Sequence, residues 1–190
     1  MNNKTLSAVR IIAGKWRRRK IYFTASPSLR PTQDRLRETV FNWLAPYLQG
    51  ARCLDCFAGT GAFGFEALSR GAVHLTLIDQ DNEAIEHLQS TAKLLDANDA
   101  CDIVLSDTKS FLSSYHGPKF DLVFLDPPFH QELLIPTCQL LLEHQLLSDD
   151  TIIYIESEKQ LDLTPLDTDF DLYRSKTTKT IHYGLLHIKA

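Results

Sequence analysis

Residues 51–79 read ARCLDCFAGTGAFGFEALSRGAVHLTLID. Two apolar runs, ARCLDCF at 51–57 and HLTLID at 74–79, have the length and composition of buried strands, and AFGFEALSRG at 62–71 between them is helix-like. Strand, helix and strand in that order predict two parallel strands side by side. Gly59, Gly61 and Gly64 sit where the first strand turns into the helix, a place that calls for left-handed backbone or close approach to a ligand.

The alternation continues outward on both sides. Downstream, NEAIEHLQSTAKLLDA (82–97) is helix-like and CDIVLSD (101–107) strand-like; residues 109–115 suit a short helix and FDLVFLD (120–126) a strand. QELLIPTCQLLLEHQ (131–145) follows as a helix with Pro136 in or near its first turns, and TIIYIES (151–157) as a strand. Residues 169–189 read as a hairpin of two final strands. Upstream, Leu36, Val40, Phe41, Leu44 and Tyr47 recur at helical spacing from Gln33 on. Before them SPSLRP (26–31) is a loop, and VRIIAGKWRRRKIYF (9–23) makes two short strands joined by a basic turn. The expected architecture is a doubly wound, Rossmann-like α/β sheet of seven strands over residues 31–190, with a small basic β-hairpin extension over residues 1–30.

At 190 residues and 44% hydrophobic content the chain suits one complete core. It has no basic start followed by an apolar signal segment, and no run near the roughly 18 apolar residues of a membrane span, so a cytoplasmic location without membrane contact is expected. Cysteines at 53, 56, 101 and 138 are too few and scattered for a disulfide scaffold and read as reduced core thiols. Cys53 lies inside a strand rather than at a helix start, and no histidine spacing completes a zinc set around it, so no metal is expected.

Charge is distributed unevenly. Residues 1–37 hold ten Lys and Arg against the single acid Asp34, a net +9, which leaves −13 on the remainder of a chain whose total is −4. A basic arm on an acidic body suits a polyanionic partner, because phosphate attraction depends on local clusters of Lys and Arg.

Ligands of such sheets bind beyond the carboxyl ends of the strands. Three ends carry chemistry: DCFAGTGAFG, IDQD and LDPPF. The Gly59-x-Gly61-x-x-Gly64 spacing fits NAD and S-adenosylmethionine alike. Asp55 separates them, because a carboxylate there would repel a pyrophosphate but can meet the ammonium of a methionine moiety. Asp79, 20 residues beyond Gly59, is placed to accept from ribose hydroxyls. Asp107 could accept from an adenine amine or simply cap the following helix.

LDPPFHQ (125–131) ends a strand with two residues that have no N–H. Asp126 adds a carboxylate, so the loop offers acceptors and few competing donors. A planar exocyclic amine has two N–H donors and a lone pair delocalised into its ring. Accepting one hydrogen with Asp126 and the other with the Pro127 carbonyl favours a pyramidal nitrogen with its lone pair free for attack. Phe129 would stack on the flat ring.

RIIAGKWRRRK (10–20), LRPTQDRLRETVFNWL (29–44), LDCFAGTGAFGFEALSRGA (54–72), LDPPF (125–129) and IYIESE (153–158), in this order, resemble the bacterial RsmD family. Members are class I S-adenosylmethionine-dependent methyltransferases that modify N2 of a guanine in 16S ribosomal RNA. The resemblance implies a cofactor set of Asp55, Phe57, Gly59, Thr60, Gly61, Asp79, Gln80 and Asp107, the last at a position where members vary. It implies that Asp126, Pro127 and Phe129 hold the guanine, and that Arg10, Lys15, Arg17, Arg18, Arg19, Lys20, Arg30 and Arg35, with the rest of the 30–37 segment, face RNA. The implied partner is 16S ribosomal RNA within the small subunit or an assembly intermediate, met by a monomer. Arg18 departs from the pattern, standing where the family often has glycine. The rival readings are an adenine-N6 or glutamine-N5 methyltransferase, which would use the same loop, and a non-catalytic RNA-binding module or NAD enzyme on the same fold. No separate target-recognition domain fits in 190 residues, and the intact Asp126–Phe129 loop argues against lost catalysis.

Overall fold

The computed structural model describes residues 6–24 and 34–189. A two-stranded antiparallel hairpin, β1 (Leu6–Arg10) and β2 (Lys20–Thr24), precedes a seven-stranded sheet. The sheet strands are β3 (Arg52–Asp55), β4 (His74–Asp79), β5 (Cys101–Leu105), β6 (Phe120–Leu125), β7 (Leu147–Glu158), β8 (Phe170–Thr177) and β9 (Ile181–Ile188). Their spatial order is β5-β4-β3-β6-β7-β9-β8, in which β3 to β7 run parallel and β9 is antiparallel to both β7 and β8. Counted from β3, this is 3-2-1-4-5-7-6. The order reverses between β3 and β6, which opens a crevice at their carboxyl ends. The expected doubly wound fold is what forms.

Five helices connect the strands: α1 (Asp34–Leu44), α2 (Ala62–Ser69), α3 (Asn82–Leu95), α4 (Thr108–Ser114) and α5 (Leu134–Glu143). Side chains of α1, α2 and α3 share one apolar cluster with the hairpin residues Val9, Ile11, Trp16, Ile21 and Phe23, while α4 and α5 cover the other face. The periodic residues Val40, Phe41 and Leu44 are the buried stripe of α1, which passes into a 3-10 turn at Ala45–Tyr47 where Pro46 removes a donor. In α3, Asp81 caps the start by accepting from the Glu83 amide, and Asp96 ends it in a left-handed conformation.

Two boundaries differ from the sequence reading. The helix expected from residue 131 starts at Leu134, because His130 and Glu132 hold positive φ of 62° and 52°, which a helix cannot include. Pro136 then falls in the first turn, where its missing N–H costs nothing. The strand expected at 151–157 extends back to Leu147; Ser148, Asp149 and Asp150 are exposed or nearly so and gave no apolar signal. A register shift between Phe120 and Leu122 accommodates them, and the Thr151 hydroxyl donates to the Phe120 carbonyl at 2.7 Å.

Every residue of α2 is buried, because the hairpin covers its outer side. Such a helix needs partners for its polar groups, and Glu66 and Ser69 supply them. Glu66 accepts from the Ile12 amide (2.7 Å), the Ala13 amide (3.0 Å) and the Arg70 guanidinium (2.6 Å). The Ser69 hydroxyl donates to the Ala13 carbonyl at 2.6 Å, and its carbonyl accepts from the Lys15 amide at 2.8 Å. Contact is so close at Gly14 that a Cβ there would lie 1.8 Å from the Ser69 oxygen.

Candidate active site

The loops after four parallel strands are tied together at the carboxyl end of the sheet. The Ala58 amide donates to the Ile78 carbonyl (2.9 Å), the Cys56 amide to that of Phe124 (3.1 Å), and the Ser106 amide to that of Asp79 (3.0 Å). The Thr108 hydroxyl donates to the Cys56 carbonyl at 2.6 Å.

The glycine loop is shaped by conformation and space. Gly59 and Gly61 have φ of +50° and +73°. A Cβ on Gly61 would come within 2.6 Å of Leu88 and 2.7 Å of Phe65, whereas one on Gly59 would meet only the Phe57 carbonyl, at 4.0 Å. Gly61 is therefore required by packing, and Gly59 faces open space over the crevice. The Thr60 hydroxyl accepts from the Ala62 amide at 3.3 Å, bracing the turn.

Asp79 closes this loop onto β4. One carboxylate oxygen accepts from the Gly59 amide at 2.8 Å and the other from the Asp81 amide at 2.9 Å. Each oxygen keeps a lone pair, and the side chain is half-exposed toward the crevice, with Gln80 exposed beside it. Asp107 caps α4: it accepts from the Ser110 amide at 2.9 Å, a bond that holds its carboxyl below the usual range. It is fully exposed, and its second oxygen is free of that bond.

Asp55 ends β3 below the glycines. Burial, and then the charge of Asp126, push its carboxyl up to about 8, while the backbone amides of Phe57 and Gly64 act in the opposite direction. Among the described residues no cation pairs with it. The open space above Gly59, the free lone pairs of Asp79 and the uncompensated Asp55 together fit the methionine and ribose portions of S-adenosylmethionine.

At the end of β6, Asp126 is half-buried, Pro127 buried, Pro128 exposed and Phe129 half-exposed. Phe129 lies edge-on to His130 with ring centroids 6.4 Å apart. Sequence reasoning missed Glu156. It lies near the end of β7 on the same face as Asp126, one residue beyond the Leu125–Ile155 pairing. It is 4% exposed and accepts from the Tyr154 hydroxyl at 2.9 Å. Burial and the Asp126 charge hold its carboxyl well above the usual range. The only signal available was a charged residue inside an apolar strand, in the IYIESE block.

The basic residues divide. Arg10, Lys15, Arg17, Arg18, Arg19, Lys20 and Arg35 are exposed; Arg30 lies outside the described residues. Arg37, read with the RNA-facing segment, is instead fully buried: it donates to the Arg10 carbonyl at 2.6 Å and pairs with Asp34 at 2.8 Å. Arg18 takes the left-handed conformation that glycine would, with φ +72°. The hairpin tip points away from the crevice. Arg19 donates to the Leu94 carbonyl at 2.6 Å, near the far end of α3, roughly 18 Å along the helix from its start beside Asp79. All four cysteines are free thiols, and burial raises each of them.

The 3-2-1-4-5-7-6 order with a glycine loop, an acid after the second of these strands and an Asp-Pro-Pro-Phe loop after the fourth defines a class I S-adenosylmethionine-dependent methyltransferase. Comparison narrows this class. The family model described as Conserved hypothetical protein 95 matches residues 9–187. The Escherichia coli K12 protein called ribosomal RNA small subunit methyltransferase D is 43% identical over 189 residues, covering 100% of this chain and 94% of that one. Its namesake in Haemophilus influenzae is 42% identical, covering 93% and 92%. A solved structure, a putative methyltransferase yhhF from Escherichia coli, superposes with a TM-score of 0.85 at 41% identity, covering 97% of this chain and 99% of that one. The chain belongs to this family, that of the RsmD methyltransferases.

Proposed function

We propose that the protein methylates the exocyclic N2 of a guanine in 16S ribosomal RNA of the small subunit. Two family relatives named for small-subunit ribosomal RNA support the substrate. The observation that carries the chemistry is the placement of Asp126 across the strand-order reversal from Asp79 and the glycine loop, so that an amine held at β6 faces a cofactor held over β3 and β4.

S-adenosylmethionine supplies an electrophilic methyl group on a sulfonium. Asp79 accepts from ribose hydroxyls, Asp55 balances the ammonium, and Phe57, Thr60 and Gln80 line the loop around them. Asp107 caps α4 and reaches the adenine edge with its second oxygen. Asp126 and the Pro127 carbonyl accept the two N2 hydrogens, which localises the nitrogen lone pair, and Phe129 stacks on the base. The bond that N2 forms to the methyl would replace the methyl's bond to sulfur, and Asp126 would take the proton that N2 sheds. The exposed residues Arg10, Lys15, Arg17, Arg18, Arg19, Lys20 and Arg35 serve the phosphates, the hairpin 1–30 acting as an RNA-contacting extension of the 31–190 methyltransferase unit. No step in this scheme calls for a metal ion, and the protein works as a monomer in the cytoplasm on the subunit or its assembly intermediate.

Mass mapping of methylated nucleotides in 16S RNA from cells with and without the gene tests the proposal. Loss of one N2-methylguanine is expected; loss of an N6-methyladenine, or of protein methylation alone, would replace it with the rival readings.

A further inference from the structure

The carboxyl end of the sheet has a second basic feature that local charge reading passes over. β9 runs antiparallel to β7, so the turn between β8 and β9 lies at the end where β6 and β7 present Asp126 and Glu156. Pairing extends one row across the sheet from Glu156 to Tyr183 and on to Lys176. The Lys159 amide, just past β7, donates to the Thr180 carbonyl at 3.1 Å and ties the end of that strand to the turn.

Lys159, Lys176 and Lys179 are all exposed, and none has a carboxylate within ion-pair distance among the described residues. Residues 172–183 contain Arg174, Lys176 and Lys179 and no acid, within a remainder of the chain that is strongly acidic. Two acids at this end of β7 are engaged. Glu156 is buried under the Tyr154 hydroxyl, and Glu158 accepts from the His130 amide at 2.8 Å.

The surface is also pre-shaped. The Thr178 hydroxyl accepts from the Ile181 amide at 3.0 Å and donates to the Ile181 carbonyl at 3.2 Å, which fixes the turn. Trp43 of α1 stacks on Tyr183 at 5.7 Å between centroids, and the Lys176 ammonium lies 5.6 Å from the Trp43 ring. Exposed lysines beside an aromatic platform, at the same end of the sheet as an acceptor site, match a strand of nucleic acid whose phosphates pass the rim while one base enters.

We infer that Lys159, Lys176 and Lys179 on the β7 end and the β8–β9 turn bind phosphates of the RNA strand that flanks the target nucleotide. The inference rests on the RNA substrate proposed above. It assigns the contact nearest the chemistry to the carboxy-terminal hairpin, whereas the tip of the amino-terminal hairpin lies at the other end of α3.

The test compares the wild type with a variant carrying Lys159→Ala, Lys176→Ala and Lys179→Ala. Binding of a short oligonucleotide centred on the methylated nucleotide is measured over a salt series, alongside S-adenosylmethionine calorimetry. For two or three lost phosphate contacts the log-log salt slope should fall by roughly 1.4 to 3 units, with affinity at low salt reduced 10-fold or more. Cofactor affinity should not change, and the matching triple arginine variant should recover the slope. A wild type that binds and methylates RNA beside a triple alanine variant of equal slope would overturn the rim contact and leave the methyltransferase reading standing. A wild type that binds neither this oligonucleotide nor the small subunit overturns both.

Discussion

Asp126 and Glu156 stand side by side at the ends of adjacent parallel strands, one residue past the Leu125–Ile155 pair and on the same face of the sheet. The two carboxyl groups differ in surroundings. Glu156 is 4% exposed and held by Tyr154, whereas Asp126 is open enough to reach a ligand. Burial, and then the charge of Asp126, keep Glu156 above its usual range.

Asp126→Ala should therefore lower the chemical step far more than cofactor binding. Losing one well-placed catalytic hydrogen-bond partner commonly costs a factor of roughly 100 to 1,000. Single-turnover methylation, read against calorimetry of S-adenosylmethionine, checks it; a near wild-type single-turnover rate would remove Asp126 from the mechanism.

Asp55 makes stability and cofactor binding depend on pH in opposite senses. Its folded value near 8 lies above the unfolded value near 3.8, so the folded chain holds more protons between these limits. Its contribution to stability is fully present below about pH 4 and declines as pH rises through 8, by at most about 1.4 kcal/mol per pH unit. An ammonium beside it favours the carboxylate, so cofactor binding at pH 7 should release up to one proton and tighten as pH rises toward 8. Calorimetry in buffers of different ionisation enthalpy measures that proton, and Asp55→Asn should abolish the release. Equal proton release in the variant would place the ammonium elsewhere.

Glu66→Ala should undock the hairpin from α2. The carboxylate is fully buried and serves two backbone amides and Arg70, with Arg37 3.9 Å away. Removing it leaves two hairpin amides and the Arg70 guanidinium without their acceptor, a loss of about 3 to 5 kcal/mol. Denaturant unfolding reads the cost. A change under 1 kcal/mol would mean that the apolar contacts of Ile11 and Trp16 alone hold the hairpin.

The order of elements was legible because each strand is a short apolar run and each helix a 3.6-residue stripe, signals contained within one segment. The strand-end acids were legible for the same reason: Asp55, Asp79 and Asp126 follow apolar runs directly. What escaped depends on partners distant in sequence. Glu66 and Arg37 look like surface charges on amphipathic helices until the hairpin, 53 or 54 residues from Glu66, lies over them. Glu156 is written inside a strand, and only the pairing of β7 with β6 shows which acid it faces. The lysines near the β8–β9 turn were hidden because their charge is averaged into an acidic body, although the fold places them at the carboxyl end of β6 and β7.

The amino-terminal hairpin gives the last prediction. Replacing Arg17, Arg18, Arg19 and Lys20 with alanine should flatten the salt dependence of binding to 16S RNA or the small subunit by roughly 2 to 4 units for three or four lost phosphate contacts. Geometry adds a length condition. The tip lies roughly 18 Å along α3 from the glycine-loop end, a distance that a few nucleotides around the target cannot cover together with the crevice. Long RNA should therefore feel the substitution, and a short oligonucleotide centred on the target should bind both proteins alike. Arg19→Ala alone serves as a control, since it also removes the bond to the Leu94 carbonyl and reports any loosening of the hairpin through the melting temperature. Equal slopes for wild type and variant on the long RNA would show that the exposed arginines at the tip are a solvated surface, and would leave the catalytic rim as the place where the strand is held.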